Sequence, residues 1–344
     1  MKALVLEEYG KFVYKEVPDP VLRDENDILV RVRAAAICGS DVHGMDGSTG
    51  RRRPPIIMGH EASGEIAAVG KRVTRFRTGD RITFDSTEYC GECFYCRRGD
   101  VNLCDNRLVL GVSCAEYSRP GTFAEYVVVP ERIAHAIPEG VDFIEASLVE
   151  PAAVAAHAAT ITPIALGDSI IVVGAGLIGL LLIQILRTNT PGVLIALDID
   201  SSRRNAALQF GADAAFDPVA PDSPDRVRAL TSGRGADHAF EAVGATAPIR
   251  TAIDLTRKGG TVTLIGNVSP TVELPLQSVV TRQITLYGSC AMAGEYPVVL
   301  DLMARKKINV RALLSAVAPL SEGAAWFDRL YKREPGLLKV ILEP

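Results

Sequence analysis

At 344 residues with 48% hydrophobic content, the chain is long enough for about two domains with sizeable cores. A formal net charge of −4 and a pI near 5.8 supply no basic field to attract nucleic acid or an anionic membrane. Four of the seven cysteines crowd between Cys90 and Cys104, which suits metal binding in a reducing compartment better than a disulfide framework; with no leader-like N-terminus and no apolar run fit to cross a bilayer, the sequence reads as cytoplasmic.

Residues 3–6, 28–36, 65–69, 81–84 and 123–129 read as short strands separated by frequent glycine, the pattern of a compact, mostly antiparallel β domain. The alternation around Val30-Arg31-Val32-Arg33 sets valines on one face and arginines on the other, as a half-buried strand requires. Cys90-Gly-Glu-Cys93-Phe-Tyr-Cys96, followed by Cys104, spaces four thiols C-x2-C-x2-C-x7-C, enough to close a tetrahedral zinc site. Four thiolates leave no open position, so such a zinc is structural. The plainer alternative is a set of reduced core cysteines. Cys38 in Cys-Gly-Ser-Asp-Val-His43, the pair His60-Glu61, and Glu150 are more scattered and form no local motif. On the residues alone, packing roles compete there with a shared metal.

Residues 143–166 turn abruptly alanine-rich and helical, marking a hinge between domains. A β-branched run at 170–173 then enters Gly174-Ala-Gly176-Leu177-Ile178-Gly179, followed by an apolar helix at 180–186 that Thr188, Asn189 and Pro191 stop. The first glycine allows the tight turn, the second admits a pyrophosphate close to the backbone, and the third lets helix and strand pack. The N–H groups opening the helix, at Leu177 and Ile178, face the phosphates. The next strand, 193–197, ends at Asp198, where a carboxylate accepts hydrogen bonds from an adenosine ribose and repels a 2′-phosphate; this points to NAD, although Arg203 and Arg204 follow closely. Helices at 201–210, 225–231 and 248–256 alternate with strands at 214–216, 237–240, 261–265 and 284–287, giving six strands, the number in a complete doubly wound sheet. Ser201 is placed as an N-cap and Gly211 as a C′ glycine. Two helical patterns and a strand at 338–342 close the chain.

The motifs ICGSDVH (37–43), GHEASGEIAAVG (59–70), the four-cysteine lobe, GTFAEYVVVP (121–130), VEPAAVAAHA (149–158) and VVGAGLIG (172–179) together resemble the zinc-dependent medium-chain dehydrogenases, within them the sorbitol, threonine and galactitol-phosphate dehydrogenase group. The resemblance covers essentially the whole chain. It implies a GroES-like β-rich catalytic domain (residues 1–150, completed by 288–344) plus a doubly wound six-stranded Rossmann domain binding NAD (residues 151–287). It implies two zinc ions: a structural one on Cys90, Cys93, Cys96 and Cys104, and a catalytic one on Cys38, His60 and Glu61, with Glu150 as fourth ligand or partner of a bound water. Adjacent side chains of a regular strand point to opposite faces, so His60 and Glu61 both bind only if the backbone is irregular there. Ser40 and His43 resemble the family's proton relay.

The implied reaction is reversible oxidation of a secondary alcohol of a polyol to a ketose by a homodimer or homotetramer, with polyol phosphate and L-threonine as alternative substrates. Gly44 and Gly288-Ser289 stand where sorbitol dehydrogenases carry larger side chains, which implies a wider pocket, and Arg51-Arg52-Arg53 would be the phosphate clamp of the phosphorylated alternative. Two rival classes explain part of the pattern: a zinc-binding scaffold accounts for the four thiols alone, and a zinc-free reductase of the same superfamily for the nucleotide turn alone.

Overall fold

The computed structural model describes residues 1–114, 117–189 and 192–344, so Pro191 lies outside the described residues. The chain divides into two compact units, Met1–Glu150 with Ala293–Pro344, and Pro151–Met292.

The first unit is built on a seven-stranded mixed sheet. Its strands run in the order Ala134–Ala136, Arg81–Phe84, Glu61–Val69, Asp27–Ala36, Val340–Glu343 and Ala316–Pro319, with Tyr126–Pro130 also paired to Asp27–Ala36. Among the described residues of this sheet, only the Ala316–Pro319 pairing is parallel. The alternation read in Asp27–Ala36 is realised: Val30 and Val32 are buried, Arg31 is exposed, and Arg33 reaches Glu65 on the neighbouring strand at 3.1 Å. A smaller sheet sets Lys2–Glu8 between Lys11–Glu16 and Ile56–Ile57. Leu4, Leu6, Ile28, Ile66, Ile82 and Phe84 fill the core with Phe327, whose ring stacks on Phe12 at 4.3 Å and meets Phe123 edge-on at 5.6 Å. Each such aliphatic side chain, fully buried, stabilises the fold by about 1.5–3 kcal/mol.

The second unit is an all-parallel six-stranded sheet in the order Ala214–Phe216, Leu194–Leu197, Ile170–Val173, Ala236–Glu241, Thr256–Leu264, Thr285–Gly288. Counted along the chain this is 3-2-1-4-5-6, the doubly wound order of dinucleotide-binding sheets. Ile170–Val173 and Leu194–Leu197 are buried at every residue, which explains why they read as continuous apolar runs rather than alternating ones.

Several expected boundaries move. Ser201 opens its helix but does not cap it; Asp200 does, accepting from the N–H groups of Ser202 at 2.7 Å and Arg203 at 3.3 Å. A carboxylate serves better there because its charge also meets the positive helix end. Gly211, at φ +111°, is the C′ glycine. The strand expected at 123–129 begins at Tyr126, and the one expected at 65–69 begins at Glu61. Lys11–Glu16 and the short helix Leu276–Thr281 were not read from the sequence. Among the described residues no helix is long and apolar enough to cross a membrane.

Candidate metal centres and dinucleotide site

The four thiols form one cluster. The sulfurs of Cys90, Cys93, Cys96 and Cys104 lie within 4.8 Å of one another, with Cys104 at 3.5 Å and Cys96 at 3.9 Å from Cys90. Backbone N–H groups point at the sulfurs: Cys93 to Cys90 at 3.4 Å, Cys90 to Cys104 at 3.3 Å, and Asn106 to Cys104 at 3.4 Å. Amides of Glu92 and Cys93 pull the Cys90 thiol down to about 6, while burial pushes Cys96 up to about 12. Four convergent sulfurs cradled by amide donors fit a thiolate-bound zinc.

Cys38, His60 and Glu61 also offer donor atoms within 4.8 Å of one another. Their backbone origins differ. Cys38 precedes the short helix Gly39–Gly44 as its N-cap, Glu61 opens the strand Glu61–Val69, and His60 lies just outside it. Gly59, at φ +94°, bends the chain immediately before His60, and a Cβ there would come within 2.7 Å of Thr122 Oγ1. The irregular backbone needed for neighbouring side chains to converge is therefore present, placed at the strand's entrance.

Three buried polar atoms here complete no hydrogen bond: His60 Nδ1, Glu61 Oε2 and Asp41 Oδ2. His60 Nδ1 faces Asp41 Oδ2 at 3.5 Å, which leaves Nε2 for a metal. Glu61 Oε2 forms an ion pair with Lys339 Nζ without hydrogen-bond geometry and retains capacity for a cation. Underused nitrogen and oxygen donors beside a thiol fit a zinc of catalytic donor type. Asp41 is fully enclosed; burial alone would raise its carboxyl, but His60 and the Arg52 guanidinium outweigh burial and hold it well below the usual range. For Lys339, burial works to lower the ammonium, yet Glu61 and Cys38 more than offset it, and Nζ also donates to Ile37 O at 2.9 Å.

Glu150, in the first turn of Val149–Ile161, is not among the converging trio. Its Oε1 accepts from Ser86 Oγ at 3.3 Å, and burial, with Glu61 and Asp85 adding, pushes its carboxyl up to about 7. Ser40 Oγ sits 3.2 Å from Cys38 Sγ, and His43 is exposed three positions on along the same helix. Arg52, one of the three clustered arginines, is 3% exposed and bound to Asp41, so the triplet is not a set of three cations free for phosphate. Asp41 and Lys339 were not singled out as site residues from the sequence, and Arg52 was read only as part of a phosphate clamp. Asp41 lies inside the CGSDVH motif and was within reach of that reading; a lone lysine near the C-terminus carried no signal.

In the nucleotide turn, Gly174 has φ +95°, with a Cβ meeting Val243 Cγ2 at 2.5 Å, and a Cβ on Gly179 would meet Gly174 O at 1.9 Å. A Cβ on Gly176 would meet nothing within 4 Å, so the backbone there borders open space that a ligand could approach closely. Gly176 caps the helix Leu177–Thr188 without a side chain, leaving the Leu177 and Ile178 amides directed at that space. Asp198, 6% exposed, accepts from Ala175 N at 2.8 Å and Asp200 N at 2.9 Å, so it is fixed beside the turn. Arg203 Nη1 leans to 3.8 Å from it, and Arg204 is occupied by the carbonyls of Asp198 and Ile199 at 2.8 and 2.9 Å. The cradle fits a dinucleotide. His238, buried between Thr261 Oγ1 at 2.7 Å and Asp168 at 2.8 Å, is a packing residue of this sheet.

Comparison with known proteins converges on these features. Residues 24–139 match the family model described as the alcohol dehydrogenase GroES-like domain, and residues 178–305 that of zinc-binding dehydrogenases. A sorbitol dehydrogenase of Halalkalibacterium halodurans is 34% identical over 100% of this chain and 99% of its own. A D-xylulose reductase A of Aspergillus oryzae is 33% identical over 95% of this chain and 93% of its own. A solved zinc-binding dehydrogenase of Sinorhizobium meliloti 1021, bound to NADP, is 30% identical with a TM-score of 0.89 and covers 100% of this chain and 99% of its own.

Proposed function

The chain belongs to the zinc-binding, GroES-like alcohol dehydrogenase family, and from that premise we propose that it is an NAD-linked polyol dehydrogenase oxidising a secondary hydroxyl to a ketone, reversibly. The observation that carries this reading is the convergence of Cys38, His60 and Glu61 donors within 4.8 Å in a chain that also holds a dinucleotide cradle. When bound, zinc supplies Lewis-acid polarisation of the substrate hydroxyl and the nicotinamide accepts hydride.

This chain's own groups do the rest. Cys38, His60 and Glu61 hold the catalytic ion, with Glu150 beside them. Asp41 orients the His60 ring, as carboxylates behind ligating histidines do. Ser40 takes the substrate proton and His43, exposed on the same helix, passes it on to solvent. Cys90, Cys93, Cys96 and Cys104 hold a second, structural ion. Gly174, Gly176, Gly179 and the Leu177 and Ile178 amides seat the pyrophosphate, and Asp198, with Arg203 alongside, receives the adenosine ribose. NAD is preferred over NADP because Asp198 repels a 2′-phosphate and Arg204 is already occupied.

An unphosphorylated polyol is favoured over its phosphate because the Arg52 guanidinium is spent on Asp41. Likeness to enzymes named for sorbitol and D-xylulose supports a polyol and ketose pair. The test is kcat/KM for matched polyols, polyol phosphates and L-threonine with NAD and NADP. The highest value for an unphosphorylated polyol with NAD is expected; activity confined to primary alcohols, to threonine or to phosphorylated substrates contradicts the substrate assignment. We place the assembly as a homodimer or homotetramer joined at Thr285–Gly288, the last strand of its sheet, whose outer backbone groups lack a neighbour in the sheet order.

A further inference from the structure

We propose that Arg52 is a positioning residue for the Cys38 and His60 metal centre, and that Gly44 is what admits it. The inference rests on the metal-centre reading above.

An arginine 3% exposed must satisfy its donors within the protein. Arg52 does so in an unusual way for a guanidinium facing a carboxylate. Nε at 3.1 Å and Nη2 at 2.8 Å both donate to the same oxygen, Asp41 Oδ1, instead of taking one oxygen each. Oδ2 is thereby kept clear for His60 Nδ1, 3.5 Å away. Rotating the Asp41 carboxylate away from the ring would break two charge-assisted hydrogen bonds at once. Nη2 also donates to Ser40 Oγ at 3.3 Å, and that hydroxyl is 3.2 Å from Cys38 Sγ. Nη1 donates to Arg51 O at 3.3 Å, fixing the fork from its outer side. One guanidinium therefore reaches two proposed metal ligands, each through a single intervening residue.

Gly44 explains how the side chain gets there. A Cβ on Gly44 would lie 2.6 Å from Arg52 Cγ and 3.4 Å from Thr49 Oγ1. Cγ is near the root of the side chain, so relief requires moving the whole stem, not just its tip. Gly44 makes room for Arg52, where the sequence suggested a wider substrate pocket. Glycine at 44 and arginine at 52 act as one unit.

Zinc-loaded wild type, Arg52→Met, Arg52→Lys and Gly44→Ala are challenged with EDTA, and the zinc retained is measured by elemental analysis. In parallel, visible absorption is recorded after cobalt replaces zinc. Arg52→Met is expected to hold the Cys38 and His60 ion about 10- to 100-fold more weakly, the usual cost of losing a residue behind a metal ligand, while the four-thiol ion is retained. Its cobalt bands shift, and kcat falls more than KM rises. Arg52→Lys keeps the charge but not the fork and recovers only part. Gly44→Ala moves both readouts in the same direction with the arginine still present. A folded Arg52→Met protein with wild-type zinc retention and cobalt bands overturns the proposal. Where Arg52→Met does not fold, unchanged retention and bands in Gly44→Ala overturn it instead. Wild type that holds no zinc beyond the four-thiol ion defeats the metal-centre reading, a result distinguishable from failure of Arg52's role alone.

Discussion

At the scale of single residues, the distinction between ligand and neighbour decides what a substitution does. Asp198 is fixed by the Ala175 and Asp200 amides with its charge beside the nucleotide turn. Asp198→Asn keeps an acceptor and removes the charge, so the ratio of kcat/KM for NAD over NADP is expected to fall roughly 10- to 100-fold, about 1.4–2.8 kcal/mol. Comparable values for both cofactors in the unmodified protein would refute the role given to Asp198. The nucleotide residues were legible because everything they need is local: a strand, three glycines, a helix and an acid follow one another in the chain. His60 and Glu61 were legible only as a contradiction, adjacent side chains asked to converge, and the answer is Gly59 at φ +94° placing His60 ahead of the strand. Arg52 was legible only as one of an anion-binding run and Lys339 not at all, since burial and pairing with Asp41 and Glu61 arise only from the tertiary fold. A run of three arginines looks like a solvated or anion-binding patch until one of them is seen 3% exposed.

At the scale of elements, two segments carry separable stability. The helix Phe94–Arg98 within the four-cysteine lobe buries none of its residues, and Phe94 is 63% exposed, so apolar burial does little to hold it. A metal held by the four thiols would supply that order. Cys93→Ser is expected to lower Tm, by about 2–4 °C for each kcal/mol lost, and to open the lobe to protease; an unchanged Tm would argue against a structural zinc. In the Rossmann unit, Asp237 ties the start of Ile170–Val173 to its neighbour by accepting from Ser169 N and Oγ at 2.8 and 2.6 Å and pairing with Arg257. Burial opposes the charge, but Ser169 and Arg257 outweigh it and bring the carboxyl down to about 2. A depressed carboxyl stabilises the fold fully above its unfolded value, near 4, and that contribution is lost as pH falls through about 2. Asp237→Asn is thus expected to be less stable than wild type at pH 6, with the gap closing on acidification. A gap that persists unchanged at pH 2 in denaturant titrations would contradict this. The central strands Ile170–Val173 and Leu194–Leu197 were legible because strands buried on both faces read as apolar runs, whereas Lys11–Glu16, an edge strand whose residues are exposed or only half-buried, was missed.

At the scale of the whole molecule, the two units answer to different signals. The doubly wound sheet is an order that sequence periodicity and the right-handed crossover rule nearly dictate. The expectation that residues 288–344 complete the first domain came from family resemblance, because nothing local in Val340–Glu343 says that it pairs with Asp27–Ala36; the compact unit takes the chain up again at Ala293. Light scattering at micromolar concentration is expected to find a dimer or tetramer; a monomer would remove the proposed role of Thr285–Gly288. The central claim is that one chain holds two zinc ions of unequal purpose, one closing the four-thiol lobe and one activating a polyol hydroxyl. Zinc per chain measured alongside NAD-dependent polyol oxidation, in wild type and in Cys38→Ser, tests it most directly. The account predicts about two zinc and turnover in wild type, and about one zinc, near wild-type Tm and no turnover in Cys38→Ser; a Cys38→Ser protein that keeps both its zinc content and its full activity would contradict it.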